Sequence, residues 1–370
     1  MVNTQQVPAG QAYRVLLSAW QAQAAGAMTA SFMLHGRPGV GKTEIVQALA
    51  AETGAELVDL RLTTIEPQDL RGLPYFDHAE KRTVWYRPED LPDDPARPAI
   101  LFLDELTSAA PALQPTVYGL LQERRVGRHR LPDSTFVVAA GNGPEDGAVA
   151  YEMGTALSDR LVHLHVVAEA GDWLDAYAAP RGLHPAVLAF IRTRPDLLET
   201  TGDALRRGEV IACTPRSWAR VAQIMAAFPD RRTRETLIAG TVGAAAAAEF
   251  LLVAEDVAAT VQVDEMLAAR PGDRVALYPA SMHGLTALAY ALVARADAAN
   301  LPAVIEIMAA LRHLGRDRGA PFTGLPLAEL VTHGFELLIR KALDRGWQEA
   351  FLASPAYADY AAERRAAGLE

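Results

Sequence analysis

The sequence predicts an α/β fold, with a parallel sheet covered by helices in the first half of the chain and helices alone in the second half. Three observations support this prediction. From residue 31 to about residue 167, short runs of large or branched apolar residues alternate with helical stretches. A glycine-rich loop joins the first run to the first of these helical stretches. After Ala168 the strand pattern fades and the chain becomes rich in alanine.

Five segments are strand candidates, because buried parallel strands are nearly continuous apolar runs. They are residues 32–35, 57–60, 100–103, 135–140 and 161–166. In the second half, helix starts such as Thr214-Pro215 and breaks near residues 270–273 and 319–321 divide the helical part. We therefore expect an α/β core at residues 1–168, a helical domain at 169–267 and a helical C-terminal extension at 268–370.

Charge and cysteine usage limit the kinds of partner and compartment. The 35 basic and 45 acidic residues give a net charge of −10, which argues against a general attraction to nucleic acid or anionic lipid. The single cysteine, Cys213, cannot form an internal disulfide, so a reducing cytoplasm is expected. The N-terminus lacks the pattern of a secretory signal. Residues 237–254, the longest apolar tract, contain Glu249 and much alanine, and we interpret them as one buried helix of a soluble protein rather than a membrane span.

The glycine-rich loop has the complete pattern G-x-x-x-x-G-K-[ST] directly after an apolar strand. Its residues are Gly36, Arg37, Pro38, Gly39, Val40, Gly41, Lys42 and Thr43. Such a loop curls backbone N–H groups around phosphates at the positive end of a helix. We expect Lys42 to hold the β- and γ-phosphates of ATP and Thr43 to bind Mg²⁺, and we include Glu44 among the nucleotide-binding residues. An accidental glycine turn is the alternative.

Two acidic residues, Asp104 and Glu105, end the buried apolar run at residues 100–103. The carboxyl ends of strands are where α/β sheets bind ligands. Asp104 is therefore a candidate to orient Mg²⁺ and its waters, and Glu105 a candidate to polarise the water that attacks the γ-phosphate. A solvated turn is the simpler explanation for an acidic pair, but it weakens once a complete P-loop precedes it.

Asn142 follows the next strand candidate and should lie at the same edge of the sheet. There it can help to position the attacking water. The alternative is structural, because Asn-Gly is a favoured turn dipeptide and needs no catalytic role.

With these motifs in order, residues 10–225 resemble the AAA+ superfamily and, within it, the MoxR-like ATPases. The resemblance implies an AAA+ P-loop core followed by a helical lid, with Walker A at residues 36–43, Walker B at 100–105 and sensor 1 at Asn142. It also makes Arg160 the candidate for an arginine that reaches the neighbouring subunit's γ-phosphate. Arg216, at the start of a lid helix, becomes the sensor 2 candidate. A surface salt bridge is the alternative for both, and Arg124 and Arg125 compete for the intersubunit role.

Two insertions favour the MoxR and chelatase branch. Residues 73–77 and 83–86 flank a polar turn and predict an aromatic-rich hairpin, and residues 124–133 predict a second, basic hairpin. Both resemble insertions of that branch, which often face the axis of a ring. Packing on their own domain is an equal alternative.

The leading functional hypothesis is Mg²⁺-dependent ATP hydrolysis by a ring-forming MoxR-like ATPase, most plausibly a hexamer, that remodels a partner protein. By analogy with the family, the partner is a protein substrate or a von Willebrand factor A domain protein. The alternatives are the motor subunit of a metal chelatase and a nucleotide-dependent scaffold with little turnover. A motor acting on DNA is least expected, given the acidic net charge.

Overall fold

The computed structural model describes residues 4–143, 146 and 155–368, and the chain forms two compact units. Unit 1 consists of the chain up to Glu169 together with Thr201–Val210 and Thr214–Arg216. Unit 2 consists of Ala170–Thr200, Ile211–Cys213 and the chain from Ser217 onward. The further division of the helical part at residue 268 stays a prediction.

Unit 1 contains all the strands of the described chain. They are β1 (Gln6–Pro8), β2 (Ser31–His35), β3 (Glu56–Arg61), β4 (Pro74–Asp77), β5 (Arg82–Trp85), β6 (Ala99–Asp104), β7 (Arg125–Val126), β8 (His129–Arg130), β9 (Thr135–Gly141) and β10 (Leu161–Val167). Its helices are α1 (Ala9–Ala24), α2 (Lys42–Thr53), α3 (Pro67–Arg71), α4 (Gln114–Glu123), α5 (Thr155–Ser158) and, from a later part of the chain, α8 (Thr201–Arg207).

A six-stranded parallel sheet forms the centre of unit 1, in the order β1-β10-β2-β9-β6-β3. The three central strands β2, β9 and β6 are buried along their whole length, which explains their unbroken apolar sequence. Helices α1 and α2 contribute to the apolar core that contains Phe32 and Phe136, and α3 and α4 contribute to a second core around Leu101 and Val137. The predicted α/β fold is confirmed, and all five strand candidates lie in this sheet.

The structure also differs from the sequence prediction in places. Strand β1 was not predicted, because three residues at the edge of a sheet carry no periodic pattern. Both predicted hairpins are confirmed: β4 pairs with β5 and β7 pairs with β8, each antiparallel.

Unit 2 is helical in its described residues. Its helices are α6 (Ala170–Asp172), α7 (Pro185–Thr193), α10 (Arg231–Val242), α11 (Ala244–Thr260), α12 (Val263–Ala268), α13 (Met282–Arg295), α14 (Leu301–Ala310), α15 (Leu314–Arg318), α16 (Leu327–Arg345), α17 (Glu349–Leu352) and α18 (Pro355–Ala366), and α9 (Pro215–Ala227) begins in unit 1 and continues here. A π-helical turn, Trp173–Ala178, follows α6. The rings of Phe190, Trp218 and Phe250 pack against one another with centroids 5.2 to 5.7 Å apart.

The prediction of one buried helix across residues 237–254 was wrong. Gly243 has a φ of 86° and separates α10 from α11, and Leu252 on α11 is 71% exposed. The tract is apolar in composition because of its alanines, but each of its two helices buries only one face: α10 buries Ile238 and Val242, and α11 buries Ala246, Ala247, Phe250, Ala254 and Val257. Across the described ranges, none of the helices combines the length and the apolar character needed to cross a membrane.

Candidate nucleotide-binding site

The P-loop lies between β2 and α2, at the carboxyl edge of the sheet. Gly36 has a φ of 144°, and a Cβ atom there would lie 2.3 Å from the carbonyl oxygen of Val166 on the neighbouring strand. Only glycine fits this position, so the loop can turn tightly away from the strand. Helix α2 begins at Lys42, with Gly41 at its N-cap, so the first N–H groups of α2 face the concave side of the loop.

The ammonium group of Lys42 is held by three oxygen atoms. Nζ donates to the carbonyl oxygens of Gly36 at 2.5 Å and Arg37 at 3.1 Å, and to Asn142 Oδ1 at 2.8 Å. Lys42 is 8% exposed, and burial lowers its pKa to about 8. The structure therefore brings the predicted phosphate-binding lysine and the predicted sensor 1 amide into direct contact, although they are 100 residues apart.

Charged groups surround this lysine. Those that act on its pKa after burial are Asp104, Asp146, Arg216 and Glu44, of which Arg216 lowers the pKa and the three carboxylates raise it. Because such effects fall off with distance, each of these side chains lies within electrostatic reach of the Lys42 ammonium. Asp104 and Arg216 were both predicted for the site, whereas Asp146 was not.

Asp104 ends β6 and is buried at the sheet edge. Its Oδ1 accepts the backbone N–H of Glu105 at 2.9 Å. Glu105 itself has a left-handed backbone with a φ of 59°, which is uncommon for a residue with a side chain and is a feature of constrained functional turns.

The carboxylate of Glu105 contacts residues at the end of the neighbouring strand β3. It accepts a hydrogen bond from the hydroxyl of Thr63, and Arg61 Nε lies 3.9 Å away. Sequence reasoning missed Thr63, because a single threonine in a polar segment carries no recognisable signal.

Asn142 follows β9, and Thr107 fixes its backbone. The Thr107 hydroxyl accepts the Asn142 N–H at 3.1 Å and donates to the Asn142 carbonyl oxygen at 2.9 Å. Sequence reasoning missed Thr107 as well. Its position three residues after Asp104 was the only signal that could have placed it near the site.

The other P-loop residues line the same site. Arg37 Nε lies 3.6 Å from Asp146 Oδ1, Val40 is buried, and Thr43 is half-buried in the first turn of α2. Glu44 Oε2 is buried and accepts no hydrogen bond from the described residues. A buried carboxylate oxygen without a donor fits a site that an external donor or cation completes. The residues present therefore fit a nucleotide with a divalent cation.

Arg216 lies near the P-loop, as its backbone contact with Gly39 and its electrostatic effect on Lys42 both indicate. Its N–H donates to the carbonyl oxygen of Gly39 at 3.3 Å, and the side chain is exposed. Thr214 approaches Gly39 so closely that a Cβ on Gly39 would lie 2.9 Å from the Thr214 hydroxyl oxygen. This arrangement leaves the Arg216 guanidinium beside the phosphate-binding loop.

Arg160 lies at the opposite edge of the sheet. It directly precedes β10, whose Leu161 pairs with Ser31 at the start of β2, whereas the P-loop leaves β2 after His35. The two ends of β2, Ser31 and His35, are four residue steps apart, or roughly 13 Å along the strand. Arg160, which is exposed, therefore lies at the end of the sheet opposite the P-loop of its own chain.

Arg124 and Arg125, the other candidates for the intersubunit role, differ in burial and in hydrogen bonding. Arg124 is largely buried, has a φ of 53°, and donates to the carbonyl oxygens of Thr135 at 2.9 Å and Ala30 at 2.6 Å. Burial lowers its pKa to about 10. Arg124 therefore ties together two strand starts and cannot also reach outward. Arg125 is exposed and donates to Glu123 at 2.6 Å.

Two histidines connect β2 and β10, a contact that sequence reasoning did not anticipate. His35 Nε2 lies 2.8 Å from His163 Nδ1, and His163 Nε2 lies 2.9 Å from the carbonyl oxygen of Ser158. A carbonyl only accepts, so His163 carries its proton on Nε2 and accepts from His35. Burial, followed by repulsion from His163, His165 and Lys42, lowers the pKa of His35 to about 4.

Comparison with known proteins agrees with this geometry. Residues 31–161 match the AAA domain family of the dynein-related subfamily. Mouse ATPase family gene 2 protein homolog B is 34% identical over 105 residues, which are 28% of this chain and 12% of that protein. Uncharacterized protein YeaC of Bacillus subtilis is 30% identical over 135 residues, which are 35% of this chain and 40% of that protein.

The chain thus spans less than half the length of these two relatives. Among solved structures, a mutant of Thermotoga maritima RuvB covers 90% of this chain and 86% of its own, at 14% identity and a TM-score of 0.36. The P-loop, the acidic pair and Asn142 all lie within residues 31–161, the segment that is similar to the AAA domain family.

Proposed function

We propose that this chain binds ATP with Mg²⁺ and hydrolyses it. The observation that carries the proposal is the hydrogen bond of 2.8 Å from Lys42 Nζ to Asn142 Oδ1, beside Asp104 at the end of β6. A buried ammonium group, an amide and two strand-end carboxylates around a phosphate-binding loop are the groups that phosphoryl transfer to water requires.

Each residue has a distinct role in this proposal. Backbone N–H groups of the P-loop and Lys42 bind the phosphates, while Thr43 and Asp104 would hold Mg²⁺, which supplies charge neutralisation at the phosphates. Glu105 accepts a proton from the attacking water, and Asn142 orients that water. Arg216 adds positive charge beside the P-loop.

Paired variants test this division of roles. Lys42→Ala should lose nucleotide affinity, because it removes charge that binds the ground state, whereas Glu105→Gln should keep nucleotide affinity and lose turnover. Equilibrium binding of a fluorescent ATP analogue and a phosphate-release assay measure the two quantities. Equal loss of binding in both variants, or wild-type protein without phosphate release, contradicts the proposal.

The finer proposal is a MoxR-like ATPase that works in the cytoplasm as a ring, most plausibly a hexamer, and remodels a partner protein. It is supported by the two hairpins β4–β5 and β7–β8 and by Arg160 at the sheet edge opposite the P-loop. A von Willebrand factor A domain protein is the proposed partner, by the resemblance alone.

Two experiments address this finer proposal. Light scattering with ATP should detect a ring, and a monomer that hydrolyses ATP at the full rate contradicts ring formation. Glu105→Gln protein held in ATP should co-purify with its partner, and Lys42→Ala protein, which binds no nucleotide, is the matched control. Retention of the same proteins by both variants contradicts ATP-dependent partner binding.

One contact favours a second candidate, a nucleotide-dependent scaffold with little turnover. The Glu105 carboxylate is engaged by the Thr63 hydroxyl, which occupies one of the oxygens needed to accept a proton from water. If this contact persists with ATP bound, Thr63→Val should raise the hydrolysis rate. Unchanged or lower turnover in Thr63→Val excludes this reason for slow hydrolysis.

A further inference from the structure

Thr107 is placed to control Asn142, although neither a motif nor the proposed roles above include it. It lies in the short 3-10 turn Leu106–Ser108 that follows the acidic pair, and it is 9% exposed. Its hydroxyl makes two hydrogen bonds to the backbone of Asn142, one as acceptor at 3.1 Å and one as donor at 2.9 Å. A single buried hydroxyl thus binds both the backbone N–H and the backbone carbonyl oxygen of Asn142.

The surroundings of this pair leave it little freedom. At Gly141, the residue before Asn142, a Cβ atom would lie 2.6 Å from Thr107 Oγ1, 2.7 Å from Thr107 Cγ2 and 2.9 Å from Met33 Cε. The end of β9 therefore approaches the 3-10 turn so closely that only glycine fits between them.

The side chain of Asn142 transmits this constraint to the P-loop. Asn142 Oδ1 accepts a hydrogen bond from Lys42 Nζ at 2.8 Å. Since the backbone of Asn142 is held by Thr107, the direction of its carboxamide is set by a residue that follows Glu105 by two positions. The turn after the acidic pair and the phosphate-binding lysine are thereby joined through two side chains.

We propose that Thr107 is a positioning residue for ATP hydrolysis, acting through Asn142 to fix the carboxamide against Lys42 and the attacking water. This inference rests on the proposed ATPase function. It extends that function by assigning the orientation of the amide to a hydroxyl group on the turn after β6. A displacement of the amide by a fraction of an ångström is expected to cost turnover much more than it costs nucleotide binding, since binding depends mainly on the P-loop backbone and Lys42.

Thr107→Val tests the inference, because valine keeps the shape of the side chain and removes both hydrogen bonds. We expect kcat to fall roughly 10- to 100-fold, with the dissociation constant for a fluorescent ADP analogue little changed. Thr107→Ser retains the hydroxyl and should restore kcat. Thr53→Val is the matched control, since its hydroxyl donates to Leu49 within α2, far along the helix from Asn142.

A double-mutant cycle separates positioning from a general structural effect. In an Asn142→Ala background, Thr107→Val should cause no further loss of kcat, because the group that Thr107 orients is already absent. The inference is overturned if Thr107→Val lowers kcat by the same factor in the Asn142→Ala background as in the wild type. It is also overturned if Thr107→Val alone has the kcat of the wild type. If Thr107→Val does not fold, the ratio of kcat between Thr107→Ser and Thr107→Ala, measured in both backgrounds, distinguishes the same two outcomes.

Hydrogen exchange at the backbone N–H of Asn142 provides a readout that does not depend on turnover. The exchange rate should rise in Thr107→Val and stay at the wild-type value in Thr107→Ser, and equal protection in both variants overturns the inference. If the wild-type protein releases no phosphate, the proposed ATPase function is wrong. That result is distinguishable from failure of the inference about Thr107, which the comparison of the variants decides.

Discussion

Unit 1 and unit 2 both bury polar side chains, but they place them differently. Of the six buried polar residues described in unit 1, His35, Lys42, Asp104 and Thr107 lie at or just beyond the carboxyl ends of β2 and β6, and Ser31 and Thr135 begin β2 and β9. In unit 2, the buried polar residues lie on separate elements of the helical array, namely Ser217, Arg274, Thr286, His333 and Ser354. A parallel sheet gathers residues from distant parts of the sequence at one edge, whereas packed helices have no common edge.

The polar cluster around His333 illustrates what unit 2 does with such groups. His333 Nε2 lies 3.1 Å from the Tyr290 hydroxyl and 3.4 Å from Asp175 Oδ1, so α16 contacts both α13 and the π-helical turn. Arg340 donates to the carbonyl oxygen of Asp175 at 3.1 Å. These contacts join elements of the unit to one another. We therefore expect substitutions in unit 1 to change chemistry and substitutions in unit 2 to change stability.

The largest expected effect on chemistry is that of Arg160→Ala. If Arg160 completes the active site of a neighbouring subunit, turnover should fall by about 10³ to 10⁵. The melting temperature should stay close to that of the wild type, since Arg160 is exposed. Phosphate release and calorimetry on the same preparation measure both quantities.

Mixing provides the control for Arg160. Arg160→Ala and Lys42→Ala subunits should regain activity together, because a mixed assembly contains interfaces that pair an intact P-loop with an intact arginine. Near-normal activity of Arg160→Ala alone, or no rescue in mixtures shown to co-assemble, moves the role to Arg125. Arg124 is unsuited to it, because its guanidinium is bound to two backbone carbonyls.

The largest expected effect on stability lies in unit 2. Phe250 is fully buried and contacts the rings of Phe190 and Trp218, so Phe250→Ala should lower the free energy of unfolding by about 3 to 5 kcal/mol. Leu252→Ala, on the same helix but 71% exposed, should change it by less than about 0.5 kcal/mol. Denaturant titrations followed by circular dichroism test this pair, and similar values for both would contradict the observed burial.

The same difference between the units explains how much the sequence predicted. The P-loop, Asp104 and Asn142 follow buried strands directly, so short motifs sufficed to place them at one edge. Thr63 and Thr107 act through contacts between segments, and a lone threonine has no pattern that reveals such a contact. The contact of His35 with His163 depends on the register of β2 and β10, which a sequence of apolar runs does not specify. In unit 2, composition predicted helices but not the break at Gly243.

Acid should destabilise unit 1 more than unit 2. Burial lowers the pKa of His35 to about 4, and the neighbouring His163, His165 and Lys42 act in the same direction. The folded form therefore binds this proton less well than the unfolded chain, so stability is full above pH 6.5 and falls as the pH decreases towards 4. At pH 5 the loss is about 2 kcal/mol.

His333 is the matched comparison in unit 2. Burial, followed by Arg192, lowers its pKa to about 4, while Glu336 opposes that shift and Arg340 adds to it. Asp175 Oδ1 lies 3.4 Å from His333 Nε2. A carboxylate at this distance stabilises a protonated imidazole, whereas the groups that act on His35 are histidines and a lysine, so we expect His333 to lose less stability in acid than His35. Between pH 7 and 4.5, the decrease in the free energy of unfolding should be reduced more by His35→Gln than by His333→Gln. The reverse order would contradict the assignment.

The smallest effect concerns nucleotide affinity at alkaline pH, and it is specific to unit 1. Lys42 has a pKa lowered to about 8, mainly by burial, while Asp104, Asp146 and Glu44 limit the shift and Arg216 adds to it. Phosphate binds the protonated ammonium, so the dissociation constant for ATP should rise above pH 8 and approach a tenfold increase per pH unit, or about 1.4 kcal/mol. Calorimetric titration between pH 7.5 and 9.5 covers a range in which ATP itself is fully ionised. Lys42→Arg keeps its charge throughout this range, so its affinity should be lower in absolute terms but independent of pH. A flat wild-type profile, or an equal slope in Lys42→Arg, would show that the buried ammonium of Lys42 does not titrate on nucleotide binding.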